Sequence, residues 1–524
     1  MPRVLVADPI AEAGIARLRE HAEVDVQLKQ SPASLVSRIP EYDALIVRSE
    51  TRVDANVIQA GTRLKVIGRA GAGVDNIDVE AATRAGVLVV NAPSGNTIAA
   101  TEHTMAMMLA LARHIPQADQ AVKAGRWERS RFLGFELRDK VLGVVGLGSI
   151  GREVAHRAQA FGMRVIATDP VLSEERASQL NVKLVPFNEL MSEADLITLH
   201  VPLTRETHHL VDARALALTK PGVRLINVAR GGIVDESALR DALRDGQVAG
   251  AAIDVFEQEP PGENPLLSMP QVIATPHLGA STEEAQISVA LEITEQVIAV
   301  LDGGLPRFSL NAPVALPEAM AFLRPFIPVA EGIGRFYAQV GRQPASRIHV
   351  DYAGEIANYD CSVLTAALLT AFLSRFSAER VNPVNARTVA AAHGITVVEQ
   401  RGARASEFAN LISLQAVGEH GTTRVGGTLL LNEPHIVTFN DFRIDLVPQG
   451  TFLMSWHADR PGIIGAIGTF LGQKNINIAS MQVGRDRPRG DAVMILSVDD
   501  PVPESILADI RRIPGMADVL SVSL

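Results

Sequence analysis

In the middle of this 524-residue chain, five polar residues each close a short apolar run: Asp169, His200, Arg230, Asp254 and His277. Glu259 follows in the loop Asp-Val-Phe-Glu-Gln-Glu-Pro-Pro. Such runs read as buried strands, and in an open parallel sheet ligands sit beyond the strands' carboxyl ends. Imidazole titrates near neutral pH, so His277 suits proton transfer. A carboxylate on its other ring nitrogen would fix the tautomer and favour the imidazolium, and Glu259 is the candidate partner. Arg230 suits a bidentate clamp on a carboxylate and polarisation of a neighbouring carbonyl. One polar strand end is more often structural than catalytic; the convergence of several points to a site.

The strand 141–145 leads into Gly146-x-Gly148-x-x-Gly151, a helix-like segment follows, and a second apolar run at 165–167 stops at Asp169. Gly146 permits the tight turn, Gly148 lets backbone approach a pyrophosphate, and Gly151 seats the helix close to the sheet with its N-terminus facing the phosphates. Asp169 is placed to hold ribose hydroxyls, which favours NAD over NADP because a 2′-phosphate would be repelled. An imidazole base beside bound NAD is the equipment for reversible hydride transfer to and from an alcohol carbon.

Strands at 141–145, 164–168, 195–199, 223–228, 248–253 and 271–274 are expected to hold these residues. The first hundred residues repeat the βαβ rhythm with apolar runs at 4–7, 44–47, 65–68 and 87–90, ending in Arg48 and Arg69. Arg3-Val-Leu-Val-Ala-Asp-Pro9 echoes Arg164-Val-Ile-Ala-Thr-Asp-Pro170, but the first lobe lacks the glycine fingerprint and is not expected to hold the nucleotide. A helix is expected at 97–114 and another at 283–301, the latter with Ser281-x-x-Glu284 as its capping box. Gly303-Gly-Leu-Pro306, Pro313 and Pro317 mark a linker, and 318–445 has a mixed pattern with an apolar helix at 362–376. Residues 451–524 read strand, helix, strand, strand, helix, strand, the βαββαβ order of a ferredoxin-like unit.

Composition narrows the class. The chain is 47% hydrophobic and 21% charged with a net charge of −10, which argues against nucleic-acid binding. Its single cysteine, Cys361, excludes an intramolecular disulfide framework and fits a reducing compartment. Neither a signal peptide nor a membrane-spanning run is read, so a cytoplasmic protein without membrane association is expected. The motifs ask for NAD and for no metal.

Five segments carry a resemblance: Arg69-Ala-Gly-Ala-Gly-Val-Asp-Asn76, Gly146-Leu-Gly-Ser-Ile-Gly151, Asn227-Val-Ala-Arg-Gly-Gly-Ile-Val-Asp235, Asp254-Val-Phe-Glu-Gln-Glu-Pro260 and Thr275-Pro-His-Leu-Gly-Ala-Ser281. Over its whole length the chain resembles D-2-hydroxyacid dehydrogenases, in the long form that oxidises 3-phospho-D-glycerate. The resemblance implies an α/β fold of two Rossmann-like lobes, the nucleotide-binding lobe (99–282) inserted into a substrate-binding lobe (1–98 and 283–310). An α+β intervening domain (311–448) and an ACT domain (449–524), opened by Leu453-Met-Ser-Trp-His-Ala-Asp-Arg-Pro-Gly462, complete the chain. It implies Arg230, Glu259 and His277 as the catalytic set. Gly146, Gly148, Ser149, Ile150, Gly151, Asp169, Val201, Val228 to Arg230, Asp254 and His277 to Ala280 are implied as the cofactor-binding positions.

A phosphorylated hydroxyacid carries a carboxylate and a phosphate, which need separate cationic clamps. Arg230 is expected on the carboxylate, with Arg48 and Arg69 across the cleft, helped by Asn96 and the backbone of Ala72 and Gly73. Arg129 or Arg131 is the candidate to reach the phosphate across a dimer interface. ACT domains resemble modules that bind amino acids between copies. The resemblance therefore implies L-serine as effector, held by His457, Asp459 and Asn477, and a homotetramer. Two other readings remain at this point: an NAD-sensing binding protein without turnover, and a dehydrogenase of another 2-hydroxy acid such as glyoxylate. The ACT-like unit counts against the first, and the length beyond residue 310 against the second.

Overall fold

The computed structural model describes every residue except 316, 342–344, 378–379, 404–406 and 420. Among the described residues the strands form four sheets. In the first lobe β1 (Arg3–Val6), β2 (Glu23–Val26), β3 (Ala44–Val47), β4 (Val66–Arg69) and β5 (Leu88–Asn91) pair in parallel in the order β2-β1-β3-β4-β5. β3 and β5 are buried on both faces, the reason their sequences read as continuous apolar runs. β2, Glu-Val-Asp-Val, lies at the sheet's edge with polar residues facing out, so its sequence carries no such run.

The long helix Glu283–Leu301 returns to this lobe after the whole second lobe. Its Val289, Ile293 and Val297 pack on Val4, Val6, Ile46, Val66 and Val90 in one buried cluster. Its N-cap is Thr282, whose hydroxyl accepts from the Ala285 amide at 3.2 Å. The expected box at Ser281 and Glu284 is thus displaced by one residue, because Ser281 lies in the turn before the helix, where its amide bonds to the Leu278 carbonyl.

The second lobe contains β6 (Val141–Val145), β7 (Arg164–Thr168), β8 (Lys183–Leu184), β9 (Leu196–Leu199), β10 (Val223–Asn227), β11 (Val248–Ile253) and β12 (Val272–Ala274). All are parallel, in the order β12-β11-β10-β9-β6-β7-β8. Strand order reverses at β1/β3 in the first lobe and at β6/β9 in the second, and such reversals open ligand crevices. The helix Thr97–Arg113 buries Met105, Met107, Met108 and Leu111 against the second sheet.

A third sheet holds β13 (Arg347–Gly354), β14 (Thr396–Ala403), β15 (Asn410–Gly418), β16 (Gly421–Leu430), β17 (Glu433–Phe439) and β18 (Phe442–Leu446), ordered β14-β13-β15-β16-β17-β18. Its helices Ile327–Val340 and Ser362–Leu373 are largely buried. The fourth sheet, β19 (Thr451–Ala458), β20 (Ile478–Arg485), β21 (Asp491–Val498) and β22 (Met516–Ser523), is antiparallel in the order β20-β21-β19-β22. With helices Ile463–Gln473 and Glu504–Ile510 between strands, it has the βαββαβ connectivity. One face of this sheet lies under its own helices. From the other, Phe452, Met454, Val493, Ile495 and Val522 join Phe336, Val340 and Phe439 in a single core with the third sheet. Gln339 seals the edge, exchanging two hydrogen bonds with Ser523 at 2.6 and 3.0 Å. Among the described residues no helix is long and apolar enough to cross a membrane.

Candidate active site

A cleft of about 380 Å³ opens between the two lobes, lined by Arg48, Arg69 and Asn96 from the first and by Arg230, Glu259 and His277 from the second. The turn after β12 carries His277 with φ at +55°. The His277 amide donates to the Asp254 carbonyl at 2.8 Å, and Nδ1 donates to Glu259 Oε2 at 2.8 Å, leaving Nε2 facing the cleft as acceptor. Glu259 Oε1 accepts from the Phe256 amide at 3.1 Å. Burial works against the Glu259 charge, but the His277 hydrogen bond and the Phe256 amide hold its carboxyl below the usual range.

Asp254 is fully buried and faces its own loops rather than the open cleft. Its Oδ1 accepts from Thr275 Oγ1 (2.6 Å), the Leu278 amide (2.7 Å) and His103 Nε2 (3.2 Å), and Oδ2 from the Gly279 amide (2.9 Å). Burial opposes its charge, and the His103, Thr275 and Leu278 bonds outweigh that, keeping the carboxyl depressed. Asp254 thus fixes the turn 277–280 that presents His277 and Ala280 to the cleft. His103, on the helix Thr97–Arg113, was not legible as a site residue, because nothing in its spacing separates it from a helix-surface histidine.

Asn227 sets the loop that carries Arg230. Its side chain donates to the Arg230 carbonyl at 2.9 Å and accepts from the Ala229 amide at 3.1 Å. The guanidinium rests on Asp75, Nε to Oδ2 at 3.3 Å, and on the Ala229 carbonyl at 2.6 Å. Gly73 lies against it so closely that a Cβ there would collide with Arg230. Burial, then the nearby Arg230 charge, pushes Arg69 down to about 10, so it remains cationic at neutral pH, and its Nε is buried without a partner. Asn96 Oδ1 is likewise buried and unpaired. Asp8, echoing Asp169, accepts from the Arg48 amide at 2.6 Å and from Thr51, and so shapes the loop of Arg48. Arg129 and Arg131 lie in the exposed turn Arg129–Phe132, with Arg131 bonded to Glu128 at 3.2 Å; neither lines this cleft.

The fingerprint fits a dinucleotide. Gly146 has φ at +91°, and a Cβ on Gly151 would strike the Gly146 carbonyl, so only glycine brings the helix Ser149–Ala160 this close. A Cβ on Gly148 would meet nothing within 4 Å, leaving free approach to the helix N-terminus beside Ser149 and Ile150. Val201 packs against Gly146, and Val228 and Ala229 follow β10. Asp169 Oδ2 accepts from the Leu147 amide at 2.8 Å and Oδ1 from Val171 and Leu172 at 2.9 and 3.0 Å. Burial opposes its charge, and those three amides keep the carboxyl depressed. An ionised carboxylate has acceptor capacity to spare for ribose hydroxyls. His200 is held neutral, pushed down to about 4 by burial.

In the fourth sheet His457 is buried, with Nδ1 on the Ala458 carbonyl at 3.0 Å and Nε2 buried without a partner. Asp459 accepts from the Arg489 amide (2.9 Å) and from Arg485 (3.3 Å). Asn477 donates to Asp499 at 2.8 Å. The sequence places Asp459 and Asn477 at one point, and the register corrects this. Ala458 pairs with Asp491 and Ile478 with Val498, at opposite ends of β21. At the strand rise that is about 23 Å within one chain.

Paired switch-point crevices, a dinucleotide fingerprint and a carboxylate-bound imidazole between them define an NAD-dependent oxidoreductase. Residues 105–279 match the D-isomer specific 2-hydroxyacid dehydrogenase NAD binding domain, 322–440 the D-3-phosphoglycerate dehydrogenase intervening domain, and 452–515 the ACT domain. D-3-phosphoglycerate dehydrogenase of Synechocystis is 49% identical over 100% of this chain and 95% of its own length. The Bacillus subtilis enzyme of the same name is 44% identical over 100% and 99%. D-lactate dehydrogenase of Aquifex aeolicus, solved with NAD and lactic acid, is 29% identical with a TM-score of 0.53, covering 57% of this chain and 96% of that one. The chain belongs to the D-3-phosphoglycerate dehydrogenase family of D-2-hydroxyacid dehydrogenases.

Proposed function

We propose that this enzyme oxidises 3-phospho-D-glycerate to 3-phosphohydroxypyruvate with NAD, opening the phosphorylated route to L-serine, in the cytoplasm. The observation that carries the substrate is the three-arginine cleft. Arg230 lines the cleft with the His277–Glu259 pair, and Arg48 and the part-unpaired Arg69 line it from the first lobe, giving cationic groups for both anionic ends of the ligand. The carboxylate lies on Arg230, replacing Asp75, and the phosphate lies toward Arg48 and Arg69, with Asn96 and the Ala72–Gly73 backbone closing the pocket.

NAD, held by the fingerprint and Asp169, supplies the hydride acceptor. His277 Nε2 takes the hydroxyl proton while Glu259 stabilises the imidazolium through Nδ1. Arg230 draws charge onto the forming carbonyl.

L-Serine acts as feedback inhibitor at the ACT domain. With Asp459 and Asn477 at opposite ends of one sheet, a site using both draws them from two copies, which asks for a homo-oligomer, here a tetramer. The buried, unpaired Nε2 of His457 offers the ligand a hydrogen-bonding partner. NADH formation from 3-phospho-D-glycerate, with and without L-serine, tests the reading. Saturable turnover that serine depresses is expected; no turnover overturns the substrate, and full activity at saturating serine overturns the regulation.

A further inference from the structure

Two buried amides lie on the path from the linker to the substrate loop, and neither has a role in the chemistry above. Gln296, 4% exposed on the return helix, accepts from the Phe308 amide at 2.7 Å and donates to the Asn91 carbonyl at 2.6 Å. Asn91, 9% exposed at the end of β5, donates from its side chain to the Ala72 carbonyl at 2.6 Å. Ala72 lies in the loop after β4, which the Ala92 amide also grips through the Gly71 carbonyl at 3.0 Å, and its neighbour Gly73 abuts Arg230.

Past Phe308 the chain runs along the open edge of β5. The Leu310 amide donates to the Val89 carbonyl at 3.0 Å, and the Asn311 side chain accepts from the Val89 amide and donates to the Val87 carbonyl, both at 2.9 Å. The strap thereby fills the unpaired groups of an edge strand. From the third unit, Asn382 donates to the Gly86 carbonyl just before β5 at 2.6 Å.

We propose that Gln296 and Asn91 are positioning residues that carry the placement of the 308–311 strap into the loop 70–76, so that the linker to the intervening domain sets how the cleft receives the hydroxyacid. Each amide uses its acceptor on one side and its donor on the other, or spans backbone to side chain, so no link is free to shift alone. A buried amide that loses its partner strands the opposite group unpaired, which makes the arrangement sharply defined. The inference rests on the substrate reading above.

Steady-state kinetics with 3-phospho-D-glycerate and NAD test it, using Asn91→Ala, Gln296→Leu, their double variant and the outlying Asn311→Ala. Asn91→Ala is expected to raise the hydroxyacid KM about tenfold against less than about twofold for the NAD KM, the scale of one lost hydrogen bond. Gln296→Leu and Asn311→Ala should raise the same KM by about threefold, and the double variant should match Asn91→Ala alone, as links on one path do not add. Amide exchange at residues 70–76 should quicken in all of them. That readout holds whatever the substrate, so a native enzyme inert toward 3-phospho-D-glycerate overturns the function and not this inference. Both KM values rising together, or Gln296→Leu and Asn311→Ala leaving the hydroxyacid KM and the exchange of 70–76 unmoved, overturns the relay; Asn311→Ala decides if a buried variant fails to fold.

Discussion

With its Nδ1 proton committed to Glu259, His277 offers Nε2 alone to a substrate hydroxyl, so the pair works in one proton direction at a time. Replacing His277 with Ala should lower kcat by roughly 10²–10⁴, the usual contribution of a positioned general base, and leave the NAD dissociation constant nearly unchanged. Near-native turnover in that variant would remove His277 from the chemistry. The depressed carboxyls have a second consequence. Asp254, Glu259 and Asp169 all sit below their unfolded values, so in acid the unfolded chain binds more protons. Their stabilisation is fully present above the unfolded values near pH 4 and is lost as pH falls through the folded ones. Thermal melts between pH 7 and 3 should show the loss, and Asp254→Asn should flatten that acid limb while lowering the melting temperature throughout. A steeper limb in the variant would contradict the sign.

The βα elements after β6 and β7 join cofactor choice to local order. Because Asp169 also holds the amides of Leu147, Val171 and Leu172, Asp169→Ala should weaken NAD binding and narrow the kcat/KM preference over NADP. A variant with unchanged preference would separate this carboxylate from the ribose. Most elements here were legible, since buried parallel strands such as Val-Leu-Gly-Val-Val and Ala-Leu-Ile-Val announce themselves as apolar runs between helical patterns. β2 and the two-residue β8 were not, being edge strands with too little apolar surface to mark them. The gathering of Arg230, Glu259 and His277 at one cleft was readable because each ends a strand or follows one. His103, Asp75, Asn91 and Gln296 were not, because their roles depend on which loop the fold brings opposite them, and a helix-face glutamine or a strand-end asparagine has no distinctive spacing. The separation of Asp459 from Asn477 within one chain was hidden for a related reason: sequence nearness to one module says nothing of which end of the sheet each occupies.

At the scale of the molecule, the last two units are not beads on a string. Phe452, Met454, Val493, Ile495 and Val522 complete a core whose other half is Phe336, Val340 and Phe439. A chain ending at residue 450 should expose that apolar face, bind a hydrophobic dye and melt at lower temperature than the full chain, so loss of serine control in it would not locate the effector. Native-like melting without dye binding would show that the third unit stands alone. Point substitutions at His457 or Asn477 are the cleaner probe, since they leave the shared core in place.

The return of helix Glu283–Leu301 to the first lobe also dictates an order of manufacture. When the ribosome has finished β5, the sheet face holding Val4, Val6, Ile46, Val66 and Val90 has no partner, because Val289, Ile293 and Val297 have not been made. Residues 99–282 come first, which at ordinary elongation rates takes on the order of 10–40 s. For that interval a nascent sheet presents bare valine and isoleucine to solvent, and the nucleotide lobe, contiguous in sequence, can close before the lobe that precedes it. The start of the chain is therefore the segment that most needs a holding chaperone during synthesis, although in the finished enzyme it is among the best buried.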